Sequence, residues 1–194
     1  FTLGRLAMAD EHGVWLAVKD LRLAWSPLAL LRGRVLVRAV TADIVRLRRL
    51  PQSPTPPPEP VPITWPPQFP SLPPILVDTL AVNRCILDAP VAGQDAILRL
   101  AGRLAESGQG ALGLHFRLDR LDGRSMRVNV AGALNYADWH LSLLLGLHDA
   151  AGGLLASALA GPNGGPLAVN LTGDGPLTAW KAQLSATLAN QSIL

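Results

Sequence analysis

The residue types that most often catalyse reactions or bind metals are few in this chain, and they stand apart. The four histidines, His12, His115, His140 and His148, show neither HxH nor HxxxH spacing. Cys85 is the single cysteine, which excludes an internal disulfide and a zinc site built from several cysteines. GxSxG, Walker and GxGxxG patterns in a strand-to-helix context are also missing. We therefore predict no catalytic centre, no cofactor and no metal site.

Arginine is the one chemically active residue type that clusters. Residues 21–50 contain seven arginines against one acid, Asp43, and the whole chain carries a net charge of +3. Such a face could bind phosphate, either of nucleic acid or of anionic lipid headgroups. It could equally be a solvated strand face whose charges discourage edge pairing. Nucleic-acid binding also needs aromatic platforms, and only Trp15 and Trp25 lie nearby, so we predict no nucleic-acid partner.

The arginines alternate with apolar residues, and this alternation predicts the elements that hold them. Leu21, Leu23 and Trp25 occupy odd positions and Arg22 an even one, a phase that returns around residues 35–38 and 45–48. A period of two is typical of β-strands with one apolar face and one polar face. We predict strands at about 14–19, 21–25, 35–40 and 43–48. Pro27 has the preferred place for the start of a short helix over residues 27–32.

Composition divides the chain into three parts. Residues 1–50 hold the strands and the short helix, and residues 51–74 hold twelve of the seventeen prolines. Because proline cannot donate to a strand ladder, this second part is predicted to be a linker. Residues 75–194 are predicted to be a multi-strand β-sheet region, with strands at about 75–82, 84–88, 95–104, 110–119, 125–134, 138–147, 153–159, 166–172 and 179–188.

The predicted fold is mainly β: an elongated, curled antiparallel or mixed sheet that forms a groove. The apolar positions are mostly Leu, Val and Ala, and such an aliphatic lining suits acyl chains, which bind through non-directional burial. An ordinary protein core would show the same alternation. No apolar run approaches the ~18 residues of a membrane-spanning helix. The candidate lining residues are Leu21, Leu23, Trp25, Val35, Val37, Val45, Leu47, Leu112, Leu114, Phe116, Val128, Val130, Leu143, Leu145, Leu167, Val169 and Leu171.

Four stretches of this sequence resemble the N-terminal periplasmic region of the TamB family, the AsmA-like components of the translocation and assembly module. They are residues 20–37, residues 42–51 with the proline run that follows, residues 151–156 and residues 171–180. They occur in the same order, and the region that they span, residues 20–180, is most of the chain. They are patterns of strand and turn without a catalytic signature, so the resemblance implies a non-enzymatic role.

The resemblance implies an elongated periplasmic protein of a Gram-negative bacterium, anchored in the inner membrane by an N-terminal helix. It also implies phospholipid transport to the outer membrane, support for outer-membrane protein assembly, and an outer-membrane barrel partner, TamA. We expect the anchor and the TamA contact to lie in parts of the protein outside this chain, and phospholipid acyl chains to be its ligand. The alternative is an assembly scaffold whose strand edges pair with outer-membrane or autotransporter clients without carrying lipid.

Overall fold

The computed structural model describes residues 2–28, 35–51, 75–107, 111–161, 163–189 and 191–192. These residues form one sheet of 11 strands whose spatial order follows the chain from first to last. Within the described residues the first and last strands do not pair with each other, so the sheet is not closed. The prediction of a mainly β fold with one elongated mixed sheet is confirmed.

The sheet is built almost entirely of hairpins. Every pair of neighbouring strands is antiparallel except β3 and β4, which are parallel. Two short helices, α1 (Ala89–Ala92) and α2 (Leu154–Ala160), and a 3-10 turn (Leu177–Ala179) join the strands. The strands are β1 (Thr2–Asp10), β2 (Gly13–Ser26), β3 (Val35–Leu47), β4 (Ile75–Leu87), β5 (Ala96–Ser107), β6 (Ala111–Arg120), β7 (Met126–Asn135), β8 (His140–Asp149), β9 (Leu167–Pro176), β10 (Lys181–Leu188) and β11 (Gln191–Ser192).

The parallel pairing of β3 with β4 explains why their connection is long. Val35 pairs with Ile75 and Leu47 pairs with Leu87, so the chain from Leu47 to Ile75 joins opposite ends of the two strands. A tight turn cannot make such a connection, whereas it can join antiparallel neighbours. The predicted linker lies in this connection, and its residues 52–74 fall outside the described part of the chain. Most of the predicted helix over residues 27–32 also falls outside it.

Several predicted boundaries are wrong, and two physical causes account for most of them. Strand β1 was not predicted, and β2, β3 and β4 each continue where the sequence predicts two strands. These strands bend without ending, as at Asp20, where φ is +53°. The predicted strand at 153–159 is helix α2 instead, because Leu and Ala favour a helix there and a nearby carboxylate caps its first turn.

Bulges lie side by side in the first half of the sheet. Along β3 the residues that face one side are Val37, Val40, Ala42 and Val45, so their spacing is three, two and three. Strand β4 repeats this spacing, with register shifts against β5 at the same two levels. A bulge adds one residue, bends the strand and increases its twist. Aligned bulges therefore curve the sheet along two lines that cross neighbouring strands.

The buried core is small and lies at one end of the strands. Ala96, Leu98, Met126 and Leu154 form it, and Leu154 comes from α2. Partly buried residues that include Cys85 pack around this cluster. Within the described residues no large side chain is fully buried. The core therefore seals one end of the strands and leaves most apolar side chains of the sheet outside it.

Candidate functional site

One surface of the sheet, which we call the apolar face, carries aliphatic side chains across all ten long strands. Residues that stand opposite each other in a strand ladder project from the same face. Leu100 stands opposite Leu118, Leu118 opposite Val128, Val128 opposite Leu147, and Leu147 opposite Val169. This single row crosses five strands without a polar residue. Tracing the other rows through the register defines the rest of the apolar face.

The pairing register places every predicted lining residue whose side chain is described on the apolar face. In the first half of the sheet, Leu23 stands opposite Val40, and Val45 stands opposite Cys85, which in turn stands opposite Leu98. Val35 pairs with Ile75 at the start of β3. The other sixteen residues share one continuous surface, and their contact with lipid remains a prediction.

The register also adds lining residues that the odd-numbered pattern missed. Each bulge shifts the alternation by one residue, so Val40 and Ala42 lie on the same face as Val37 and Val45. Two bulges together shift the alternation by two residues, so the apolar positions at both ends of β3 are odd-numbered. The sequence therefore shows no break between the two ends. A signal was present in Asp20 of β2, because Asp tolerates the left-handed backbone conformation that it adopts there. Asn83 Nδ2 donates to Asp43 Oδ1 at 3.1 Å and links the bulges of neighbouring strands.

The apolar face is partly covered and partly open to solvent. Leu167 lies in the buried end, whereas Trp25 is 47% exposed and Leu114 38%. Leu184 stands opposite Leu171 and is 49% exposed, although it was not among the predicted lining residues. The other predicted lining residues whose side chains are described are half-buried. Contiguous exposed apolar surface on a soluble domain usually marks a binding surface when it exceeds a few hundred Å². The extent of this face across the sheet makes it the candidate functional site.

Trp180 is a lining residue whose position the sequence did not reveal. Its indole ring lies over Gly173, where a Cβ atom would stand 1.9 Å from Trp180 Cζ2. Gly173 belongs to the apolar face because it stands opposite Leu143. Trp180 Nε1 also donates to the carbonyl oxygen of Leu141 at 3.0 Å. The ring therefore fills a gap in the apolar face while its polar atom is satisfied by the backbone.

Helix α2 forms one lip of the apolar face and is held there by a buried carboxylate. Asp149 Oδ2 accepts hydrogen bonds from the backbone N–H of Leu155 at 2.8 Å and of Ala156 at 3.0 Å. Asp149 is only 3% exposed, and Gly153 leaves the space that its carboxylate occupies. Leu154 then reaches the buried core from the first turn of the helix. This lip is therefore attached to the sheet by polar and apolar contacts together.

The opposite surface, which we call the polar face, carries most of the charged residues of the central strands. Arg117 Nε donates to Asp119 Oδ2 at 2.7 Å, and Arg127 Nε donates to Asp119 Oδ1 at 2.8 Å. The hydrogen bond from Arg117, followed by that from Arg127, lowers the pKa of Asp119. Arg103 and His115 stand opposite each other on the same face. Charge and aliphatic surface are thus separated to the two sides of one sheet.

The remaining reactive side chains do not converge on a centre. Among the described residues no three or more His, Cys, Asp or Glu side chains are placed to hold a metal ion. His140 Nε2 lies 3.1 Å from Asp174 Oδ1 in an exposed pair. Cys85 lies half-buried on the apolar face, where burial raises the pKa of its thiol. In the described part of the chain, no helix combines the length and apolarity needed to cross a bilayer.

Comparison with protein-family models, with curated proteins and with solved structures shows no match to this chain.

Proposed function

We propose that this chain is a non-catalytic segment of a periplasmic conduit that carries phospholipids from the inner to the outer membrane and supports outer-membrane protein assembly. The observation that carries the proposal is the continuous, half-exposed apolar face of an open sheet. An ordinary domain would cover such a face with a second layer of structure. Acyl chains can cover it instead, because their binding requires only apolar area and no directional contacts.

The dimensions of the apolar face support this proposal. Neighbouring strands lie about 4.8 Å apart, so the ten long strands extend it over roughly 43 Å. A face of that length accommodates acyl chains along its whole course. The lining is almost wholly aliphatic, with Trp25, Phe116 and Trp180 as its aromatic members in the described strands and turns. Glu106, Arg120 and Asp149 have the register of this face but lie at the ends of their strands, so the middle of the described face offers no charged contact that would stop a chain at one point.

The resemblance of residues 20–37, 42–51, 151–156 and 171–180 to the TamB family supports the location and the partners in this proposal. It favours the periplasm of a Gram-negative bacterium, an inner-membrane anchor and the barrel partner TamA, both contacts being made by other parts of the protein. The arginines of the polar face then lie on the side of the sheet that does not meet acyl chains.

Photo-crosslinking tests whether lipid reaches the apolar face. A photoreactive phenylalanine at Leu114 or Val130 places the probe on the apolar face, and the matched controls at His115 or Asn129 place it on the polar face of the same two strands. After irradiation in cells, we expect phospholipid adducts at Leu114 and Val130 and none above background at the controls, as measured by mass spectrometry. Equal adduct yields on both faces, or protein adducts alone, would contradict the proposal.

A second candidate function, a scaffold for outer-membrane protein assembly that carries no lipid, is favoured by the open edge of the sheet. Strand β1 pairs only with β2 among the described strands, and Leu6 and Met8 on it are exposed. An extended client could add a strand there through backbone hydrogen bonds. In that case β-strand peptides of varied sequence should slow amide exchange in β1, and charges placed on the apolar face should leave this protection intact.

A further inference from the structure

A cavity of about 500 Å³ lies where β6 turns into β7, at the lip of the sheet. Arg99, Arg117 and Arg127 reach it from the polar face, as their register shows. Arg120 and Met126 also line it, although the register of Arg120 opposite Leu98 is that of the apolar face. The cavity therefore touches both faces of the sheet and has an arginine-rich wall.

The positive charge of this cavity exceeds its negative charge. Asp119 is the carboxylate that lines it, and Arg117 and Arg127 both bind that carboxylate. Arg99 stands opposite Asp119 in the ladder but makes no ion pair within the described residues. His148 adds an imidazole to the same wall. One carboxylate thus faces three guanidinium groups of the polar face, which leaves room for a second anion.

Arg120 is the most buried arginine of the cavity wall, and the carboxylate of Asp122 holds it there. Its side chain is 3% exposed, and its Nε donates to Asp122 Oδ1 at 2.5 Å while its Nη2 donates to the backbone oxygen of Asp95 at 3.2 Å. Its Nη1 is buried and has no hydrogen-bond partner in the described structure. Because Nη1 is shielded from solvent, the exposed guanidinium groups of Arg99, Arg117 and Arg127 are the donors that a bound anion can reach.

We propose that this cavity binds a phosphate group. Guanidinium groups bind phosphate oxygens through paired, charge-assisted hydrogen bonds, and several arginines around one cavity can bind several oxygens of the same group. Two sources share this chemistry: the headgroup of a phospholipid and phosphate in solution. The position at the lip, next to the apolar face, suits a headgroup whose acyl chains lie on that face. The claim that a phospholipid headgroup supplies the phosphate rests on the proposed function, whereas the binding of phosphate itself does not.

Two double variants of the full chain test the proposal. Arg99→Gln with Arg127→Gln removes two charges from the cavity, whereas Lys19→Gln with Arg22→Gln removes two exposed charges from β2, outside it. Calorimetric titration with inorganic phosphate probes the soluble source. Flotation with phosphatidylglycerol-containing vesicles, compared with pure phosphatidylcholine vesicles, probes the headgroup source. Circular dichroism checks that each variant keeps its strand content.

We expect the wild-type chain to bind one phosphate group per cavity, and the cavity variant to weaken binding about tenfold or more. The β2 variant should bind as the wild type does. Saturable binding of inorganic phosphate alone assigns the site to soluble phosphate, vesicle binding alone assigns it to headgroups, and binding of both probes assigns it to both sources. The proposal is overturned if the wild type binds neither probe, or if both variants lose binding equally. Because Val130 lies on the other face, failed crosslinking there leaves the phosphate titration unaffected.

Discussion

At the scale of one residue, Asp119 shows how a single carboxylate binds two arginine side chains on the polar face. Two arginines from neighbouring strands donate to its carboxylate, and together they hold its pKa below the ordinary range. A lowered pKa means that the folded protein favours the ionised carboxylate more than the unfolded chain does. This contribution to stability is present above the unfolded-state pKa and is lost as the pH falls through the folded-state value.

We expect carboxyl NMR titration to find the pKa of Asp119 below that of an ordinary aspartate. Arg117→Gln should raise this pKa more than Arg127→Gln does, because the hydrogen bonds from Arg117 are the larger cause of the shift. Asp119→Asn should remove this part of the acid dependence of stability in urea unfolding. A pKa that stays unchanged in both arginine variants would contradict the assignment.

At the scale of the element, Asp149 joins strand β8 to helix α2. Its carboxylate replaces an N-cap side chain, since the N-cap position is occupied by Gly153 and makes no side-chain bond of its own. A helix of seven residues has little stability alone, so its position depends on this contact and on Leu154 in the core. The position of α2 at the edge of the apolar face therefore depends on the hydrogen bonds to the buried carboxylate of Asp149.

Asp149→Ala should lower the free energy of unfolding by about 2 kcal/mol, because two N–H groups lose their acceptor in a buried place. Hydrogen exchange should become faster in α2 before it changes in β5 or β6. The matched control is Asp174→Ala, which removes an exposed carboxylate that lies against His140 and should cost less than about 0.5 kcal/mol. Similar losses for the two variants would show that Asp149 does not anchor the helix.

The elements differ in how far the sequence predicts them. The strands after residue 110 were predictable because period-two alternation is a local signal, as in Leu112 to Leu118. The bulges of β2 to β4 were not predictable from the sequence, because they interrupt the alternation of apolar and polar residues and then restore it. Helix α2 was missed because Leu and Ala are apolar in a strand pattern and its capping carboxylate, Asp149, lies five residues before the first residue of the helix. Trp180 was missed because its place depends on Gly173 in another strand.

At the scale of the whole molecule, the apolar face distinguishes an open sheet from a sealed core. Leu98 and Leu114 project from the same face, yet Leu98 is 6% exposed in the core cluster and Leu114 is 38% exposed. A charged side chain is tolerated where water reaches it and is strongly unfavourable where it does not. The two leucines therefore give a direct measure of how open the face is.

We expect Leu114→Lys to fold and to lose about 1 kcal/mol of stability, because its ammonium group can reach solvent. Leu98→Lys should lose more than about 3 kcal/mol or fail to fold, since it places a charge in the core cluster. Urea unfolding followed by circular dichroism measures both. A Leu114→Lys variant as unstable as the Leu98→Lys variant would mean that the whole face is an ordinary sealed core.

The chain-ordered pairing of the strands has a consequence for how the protein folds. In every hairpin from β4 to β11 the partners are neighbours in sequence, so little loop entropy opposes their pairing, and they are expected to form early. The β3–β4 pair is the one junction in the described sheet that must wait for the ends of a long connection to meet. Folding kinetics should therefore show two zones that assemble independently and then join, with the proline-rich connection setting the rate of the last step.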